Sequence, residues 1–466
     1  MALQATYPAY QESGLPWVPK VPQGWSVLRN GRLFAHRVQT GFPDLPILEV
    51  SLRTGVRVRD MENLKRKQVM SQKEKYKRAA KGDIAYNMMR MWQGALGPAP
   101  VDGLVSPAYV VVKPFEEANS AYYSYLFRTD AYMREVNKFS RGIVADRNRL
   151  YWDEFKQMPS LVPPRPEQDQ IVAYLRAQDA HIARLIKAKR DLIGLLTEQK
   201  LRIIDHAVTG GLDASVALKP SGIEWLGDVP QHWEVQRLKN VANVVLGKML
   251  TTEAKNGDGE FKPYLRSTNV QWIKPDVRDV KEMWIANSEM AQLRVRKGDL
   301  LVSEGGEVGR ACMWNEELPE CYIQNSVHRV ATKSKMLPEF LFHQFFAYGK
   351  RGRFNAIVNR VSIAHLTREK LVTVPFTVPP VEEQKAICKW IDDECKPLED
   401  AIQRAEEEIK LIREYRDRQI ADVVTGQVDV RDWVPGPDDG MAEEDLAVLG
   451  GDEELEPDRE EDDGDE

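Results

Sequence analysis

Apolar residues recur at heptad-like spacing along one stretch of the chain: Ile171, Leu175, Ile182, Leu185, Leu192, Leu196 and Ile203. Polar and charged residues fill the positions between them. That pattern predicts a helix with a single apolar stripe. Prolines crowd its entrance, and Glu167 with Gln168 falls in the first turn. Thr209-Gly210 marks the exit, where glycine can take a left-handed cap. Glu167 to Val208 contains no proline and one glycine, Gly194. At 1.5 Å per residue this is a rod of roughly 60 Å. Lys189 and Gln199 fall on the stripe, so the seam is imperfect, or a further protein uses part of that face.

A rod of that length cannot hide its stripe alone, and the chain supplies a partner. PPRPEQDQI (Pro163–Ile171) recurs 216 residues later as PPVEEQKAI (Pro379–Ile387). AVTGGLD (Ala207–Asp213) recurs as VVTGQVD (Val423–Asp429) at the same offset. Identities include Glu167/Glu383, Gln168/Gln384, Leu195/Leu411 and Thr209/Thr425. The duplication predicts a second rod lying antiparallel to the first. Pro397 sits inside the second copy and is expected to kink or interrupt it near its start.

A second repeat precedes each rod. SGLPWVPKVPQGWSVLR (13–29) matches SGIEWLGDVPQHWEVQR (221–237), with Trp17, Trp25, Trp225 and Trp233 expected as core anchors. Between entry motif and rod the period shortens. LPILEVSL (45–52) and SPAYVVVKPF (106–115) read as strands, and FKPYLRSTNVQWI, KGDLLVSEGGEVG and CYIQNSVHRVAT do the same in the second copy. SAYYSYLFRTDAYMREV (120–136) and LPEFLFHQFFAYG (337–349) read as helices. The expected class is α+β: two tandem domains with irregular β-sheets, separated by two long helices that form an antiparallel coiled coil. The expected boundaries are an N-terminal arm at 1–12, a first domain at 13–162 and its helix at 163–209. A linker at 210–220, a second domain at 221–378, its helix at 379–426 and an acidic, disordered tail at 427–466 complete the chain.

Charge sharpens this picture. The net charge is -6, yet Asp438–Glu466 holds 16 acidic residues and one Arg. Residues 1–437 therefore carry 64 basic and 55 acidic side chains, a net of +9. A basic body is compatible with nucleic acid. No apolar run approaches the roughly 20 residues that span a bilayer, and the N-terminus lacks a signal-peptide pattern, so no membrane partner and a cytoplasmic location are expected. Cys312, Cys321, Cys388 and Cys395 show no metal-ligand spacing and read as reduced thiols. Catalytic motifs are missing. There is no Walker A, and both Pro-Pro pairs follow Val, so no methylase Pro-Pro-aromatic loop exists. GGEVG (305–309) lacks dinucleotide-binding spacing, and the seven histidines are scattered, with His181 and His206 in the first rod.

Taken together, PSGIEWLGDVPQHWEVQRLK, KGDIAYNMMRMWQGALG with DGLVSPAYVVVKP, KGDLLVSEGGEVG with YIQNSVHRV, and the PPxxEQ-opened helices resemble the specificity (S) subunit of Type I restriction-modification systems. The resemblance covers the chain to about Asp429, and the acidic tail lies outside it. It implies that each mixed domain is a target recognition domain reading one half of a split, asymmetric site on double-stranded DNA. It also implies that the coiled coil sets the half-site gap and docks two methyltransferase subunits, with ATP-dependent restriction subunits joining them. No catalysis and no cofactor would belong to this chain, while S-adenosylmethionine, ATP and Mg would be bound by its partners.

Arg and Lys pair with guanine, Asn and Gln with adenine, and a carboxylate accepts from cytosine. In the first domain the candidate DNA contacts are Arg90, Gln93, Arg147, Asn148 and Arg149, with Lys65, Arg66, Lys67, Lys73 and Lys75 on phosphates. In the second they are Arg266, Thr268, Asn269, Gln271, Arg310 and Arg360, with Ser303 and Glu304 as acceptors. Trp92 and Tyr264 are expected to pack inside their domains rather than stack on bases.

Overall fold

The structure is a computed structural model describing residues 5–52, 55–59, 73–142, 148–254, 258–356, 365–437, 439–440 and 448–449. It divides into two compact units: Met1–Asp191 with Ala405–Glu466, and Leu192–Arg404. Each unit therefore owns one mixed domain, part of the first long helix and part of the second. The first long helix is Arg165–Gly210 (46 residues) and the second is Val381–Val424 (44 residues).

The first unit is built on a four-stranded antiparallel sheet. Its spatial order is Phe34–His36, Tyr109–Pro114, Ile84–Asn87, Leu96–Pro98. Tyr109 to Val112 are all buried, which is why this run of branched side chains makes a central strand. The second unit repeats the order with Ala242–Leu246, Val327–Thr332, Leu300–Ser303 and Ala311–Met313. Each unit also pairs its entry strand with the strand before its long helix: Ser26–Arg29 with Pro159–Val162, and Glu234–Arg237 with Pro375–Val378. The second unit adds a three-stranded sheet from Gly259–Leu265, Lys281–Ala286 and Tyr322–Ile323.

Trp25 and Trp233 are the buried anchors that the entry motifs promised, at 3% and 0% exposure. Each indole Nε1 donates at 3.0 Å to the helix-opening glutamate, Glu167 or Glu383. Trp17 and Trp225 are partly buried and lie against the same cores. The helix expected over 120–136 is two helices, Ser120–Phe127 and Asp130–Phe139. The break falls at Thr129, whose hydroxyl accepts from the Tyr132 N–H and caps the second helix.

The two long helices run antiparallel in both units. In the first, Arg416 bonds Asp179, the Gln419 amide donates to the Tyr174 hydroxyl, and Lys189 pairs with Glu408. In the second, Lys200 pairs with Glu399. The apolar seam departs from the heptad expectation. Ile171, Leu175 and Ile182 are buried, but Leu185 and Leu192 are 46% and 42% exposed. Ile171, Val172 and Leu175 join the first domain's core and Leu201 and Ile204 the second's, while Ile182, Ala183 and Ile186 are buried along the helix outside both cores. From Lys187 to Lys200 no side chain of the first long helix is buried.

Pro397, expected to kink or interrupt the second helix, lies inside a helix that continues from Val381 to Val424, so it does not interrupt it. It lies on the exposed side, so the carbonyl it leaves without a donor faces solvent. Ile391 and Cys395 hold the opposite side in the core. The tail also begins later than residue 427. Val428 and Val430 are buried in the first unit's core, and the Asp429 N–H donates to the Ala5 carbonyl at 2.7 Å. All four cysteines are buried and free. Among the described residues no helix is long and apolar enough to cross a membrane.

Candidate nucleic-acid interface

In the second unit, the loop joining Leu300–Ser303 to Ala311–Met313 forms one wall of a cleft of about 350 Å³. The Ser303 N–H donates to the Arg310 carbonyl at 2.9 Å, which closes the loop and sets Glu304 and Arg310 at its two ends. Ser267, Asn325, Ser326 and His365 line the rest, with Gly305 and Gly306. Gly306 has φ of 82°, a left-handed conformation that suits glycine. The backbone of Glu304 is pinned from both sides: its N–H donates to Ser326 O at 3.0 Å, and its carbonyl accepts from Leu366 N at 2.9 Å. Arg310 Nη2 donates to Ser267 O at 3.0 Å.

The cleft brings Glu304 and Arg310 together but not the other candidates. Ser303 is fully buried and its hydroxyl donates to Gly305 O at 2.8 Å. Asn269 is 3% exposed and spends its amide inside the loop. Its Nδ2 donates to the carbonyls of Asp276 and Asp279, and its Oδ1 accepts from Arg266 N. Asn269 therefore shapes the 266–279 loop and has no group left for a base. Arg266 is held by Asp279, and Gln271 donates to the Thr268 carbonyl at 2.8 Å. Tyr264 packs in the core as expected. Asn325, Ser326 and His365 were not singled out from sequence, although the first two lie within the YIQNSVHRV motif.

In the first unit, Arg90 precedes and Gln93 ends the short turn Met91–Gln93, which Gly94 closes with φ of 89°. Gln93 is exposed and Arg90 half-buried. Trp92 faces inward against the core, and its Nε1 donates to Met89 O at 2.9 Å. Arg128 holds this turn from beneath: its Nε donates to Gly94 O, and its Nη2 donates to Ser51 O and Leu52 O, all at 3.1 Å. Burial, with Arg416 nearby, pulls this guanidinium down to about 10. Asn148 donates to Asn137 Oδ1 at 2.9 Å, and the Arg149 backbone pairs with Arg141. Lys73 and Lys75 lie on a short turn elsewhere in this unit. Lys65, Arg66, Lys67, Arg147 and Arg360 fall outside the described residues. A second cleft, of about 340 Å³, is lined by Arg37, Lys81, Asp83, Lys113 and Arg165, with Arg37 paired to Asp83. Among the described residues no group of His, Cys, Asp or Glu is placed to hold a metal ion.

The model of the Type I restriction modification DNA specificity domain matches residues 230–411, which span the second mixed domain and most of the second long helix. The putative type I restriction enzyme MjaX specificity subunit of Methanocaldococcus jannaschii is 22% identical, over 69% of this chain and 71% of that protein. The chain carries a Type I restriction modification DNA specificity domain and is similar to Type I restriction enzyme specificity subunits. The MjaVIII specificity subunit of the same organism is also 22% identical, over 59% of this chain and 64% of its own length. The fold is shared with a chain from a structure solved for the complex assembly and conformational transition of the type I R-M system. The TM-score is 0.62 at 15% identity, covering 88% of this chain and 99% of that one. The matched domain is, by its description, a DNA specificity domain.

Proposed function

We propose that each unit reads one half of a bipartite, asymmetric site on double-stranded DNA, and that the two long helices set the gap between the halves. The observation that carries this reading is the repeated frame with unlike surfaces. Both units share one sheet order and one Trp–Glu anchor, yet the loop after Ile84–Asn87 presents Arg90 and Gln93 where the loop after Leu300–Ser303 presents Glu304 and Arg310. Equal frames give equal docking, and unlike loops give unlike half-sites.

The helices also serve two methyltransferase subunits. Leu195 and Leu411, equivalent in the repeat, are 71% and 61% exposed on the two helices. Exposed leucines at equivalent positions suit two copies of one apolar partner. ATP-dependent restriction subunits join that core, and S-adenosylmethionine, ATP and Mg are bound by the partners. The complex acts in the cytoplasm.

Sequencing of adenine methylation in cells carrying the complex tests the reading. A split, asymmetric motif that disappears when this chain is deleted supports it; an unchanged methylome contradicts it.

A further inference from the structure

Most charged side chains around the second unit's cleft are consumed by neighbours. Arg266 is bonded by Asp279, Arg278 by Asp276, Lys248 by Glu289 and Lys350 by Glu307. Glu304 and Arg310 are different. The Glu304 carboxylate has no partner among the described residues. The Arg310 Nε is buried without an acceptor, and among the described residues its guanidinium donates through Nη2 to Ser267 O.

The support beneath them is closed. Ser267 N donates to Ser326 Oγ at 3.0 Å, Ser326 Oγ donates to Gln324 Oε1, and Gln324 Nε2 donates to Asn325 Oδ1 at 2.7 Å. The Asn325 Nδ2 and the exposed His365 ring are left with no partner among the described residues. A Cβ placed on Gly305 would stand 3.6 Å from the His365 ring, and one on Gly306 would stand 3.7 Å from Arg310 Nη2. Side chains at either glycine would grow into the cleft, so the two glycines keep it open.

An unpaired acceptor anion and an under-bonded donor cation at the two ends of one short loop define the ligand. A phosphate answers Arg310 but is repelled by Glu304. A base pair answers both. Arginine matches the O6 and N7 acceptors of guanine, and a carboxylate accepts from the N4 amino group of cytosine. We propose that Glu304 and Arg310 read a single G·C pair from the major groove, with Ser267 and Ser326 holding Arg310 in place. The proposal rests on the split-site reading and adds which pair the second unit demands.

The test uses the intact complex and adenine-methylome sequencing of Glu304→Gln and Arg310→Ala. The half-site read by the second unit is identified by exchanging the first domain, which leaves that half unchanged. That half is expected to contain a required G·C pair. Both variants are expected to raise methylation at sites substituted at that pair by about tenfold or more relative to the native motif, with the other half and the gap unchanged. Glu304→Gln is nearly isosteric, so it keeps the loop folded even where Arg310→Ala does not. A half-site without a G·C pair overturns the proposal, as does an unchanged motif in Glu304→Gln. Uniform loss of methylation in Glu304→Gln, without relaxation at one position, overturns it too. If the native motif is not split, or survives deletion of this chain, the failure is that of the split-site reading instead.

Discussion

Gln168 and Gln384, 216 residues apart, make the same three hydrogen bonds in their respective units. Gln168 Oε1 accepts from Asn119 N, and its Nε2 donates to Glu117 O and Pro163 O, all at 2.9 Å. Gln384 Oε1 accepts from Leu337 N, and its Nε2 donates to Lys335 O and Pro379 O, all at 2.8 Å. Both are fully buried. Each glutamine therefore ties the start of a long helix to the loop before a domain helix. Gln168→Ala and Gln384→Ala strand one donor and two acceptors, and each should cost about 2–3 kcal/mol. Hydrogen exchange should show the loss in the first unit for Gln168→Ala and in the second for Gln384→Ala. Loss spread evenly over both units in either variant would contradict the local role.

Asp179 lies on the first long helix with its side chain 4% exposed. It accepts from Arg416 Nε at 2.6 Å and from the Tyr125 hydroxyl at 2.8 Å, joining both helices to the first domain. Removing one member of such a pair leaves the other charge uncompensated. Asp179→Leu should cost about 3 kcal/mol, read as a lower urea midpoint, because Arg416 is only partly shielded. Asp179→Leu with Arg416→Met should recover most of that loss.

The second unit should weaken in acid. His328 is fully buried on the strand beneath the Glu304 loop; its Nε2 donates to Leu366 O at 2.9 Å and its Nδ1 has no partner. Burial holds its pKa below the ordinary 6.5. As pH falls below 6.5 the unfolded chain takes a proton that the folded unit refuses, so stability drops with pH until the folded value is reached. The urea midpoint should be lower at about pH 5 than at about pH 7, and His328→Gln should reduce the difference, the rest coming from His343, whose pKa burial lowers to about 4.

The segment after the second helix is part of the first unit. Beside buried Val428 and Val430, Tyr10 donates to Gly426 O at 3.1 Å and Gln170 Nε2 donates to Trp433 O at 2.5 Å. Removing residues 425–466 should destabilise the first unit by about 3 kcal/mol or more, since it deletes two valines buried in that unit's core. Removing 441–466 should leave its thermal midpoint unchanged.

The duplication was legible because it needs only identities: two helices, two anchored tryptophans and two matching sheets follow from it. Pro397 does not end its helix, because the core contacts of Ile391 and Cys395 on the opposite side hold the helix together, and the heptads do not reveal those contacts. Leu185 and Leu192 fit the heptad spacing yet stay exposed, while the neighbouring Ile186 is buried, so the spacing alone did not give the buried face. Asn269 and Ser303 looked like readers because residue type does not show whether an amide or hydroxyl is already bonded. His365 was invisible as a cleft residue because it is about 60 residues from Glu304 in sequence and meets it through the Leu366 bond to the Glu304 carbonyl.

Two unlike readers on one repeated frame are tested most directly by exchanging residues 31–160 for the corresponding domain of another family member and sequencing the adenine methylome. One half of the split motif should change, while the other half and the gap stay as they were. A motif that changes in both halves, or in neither, would contradict the assignment of one half-site to each unit.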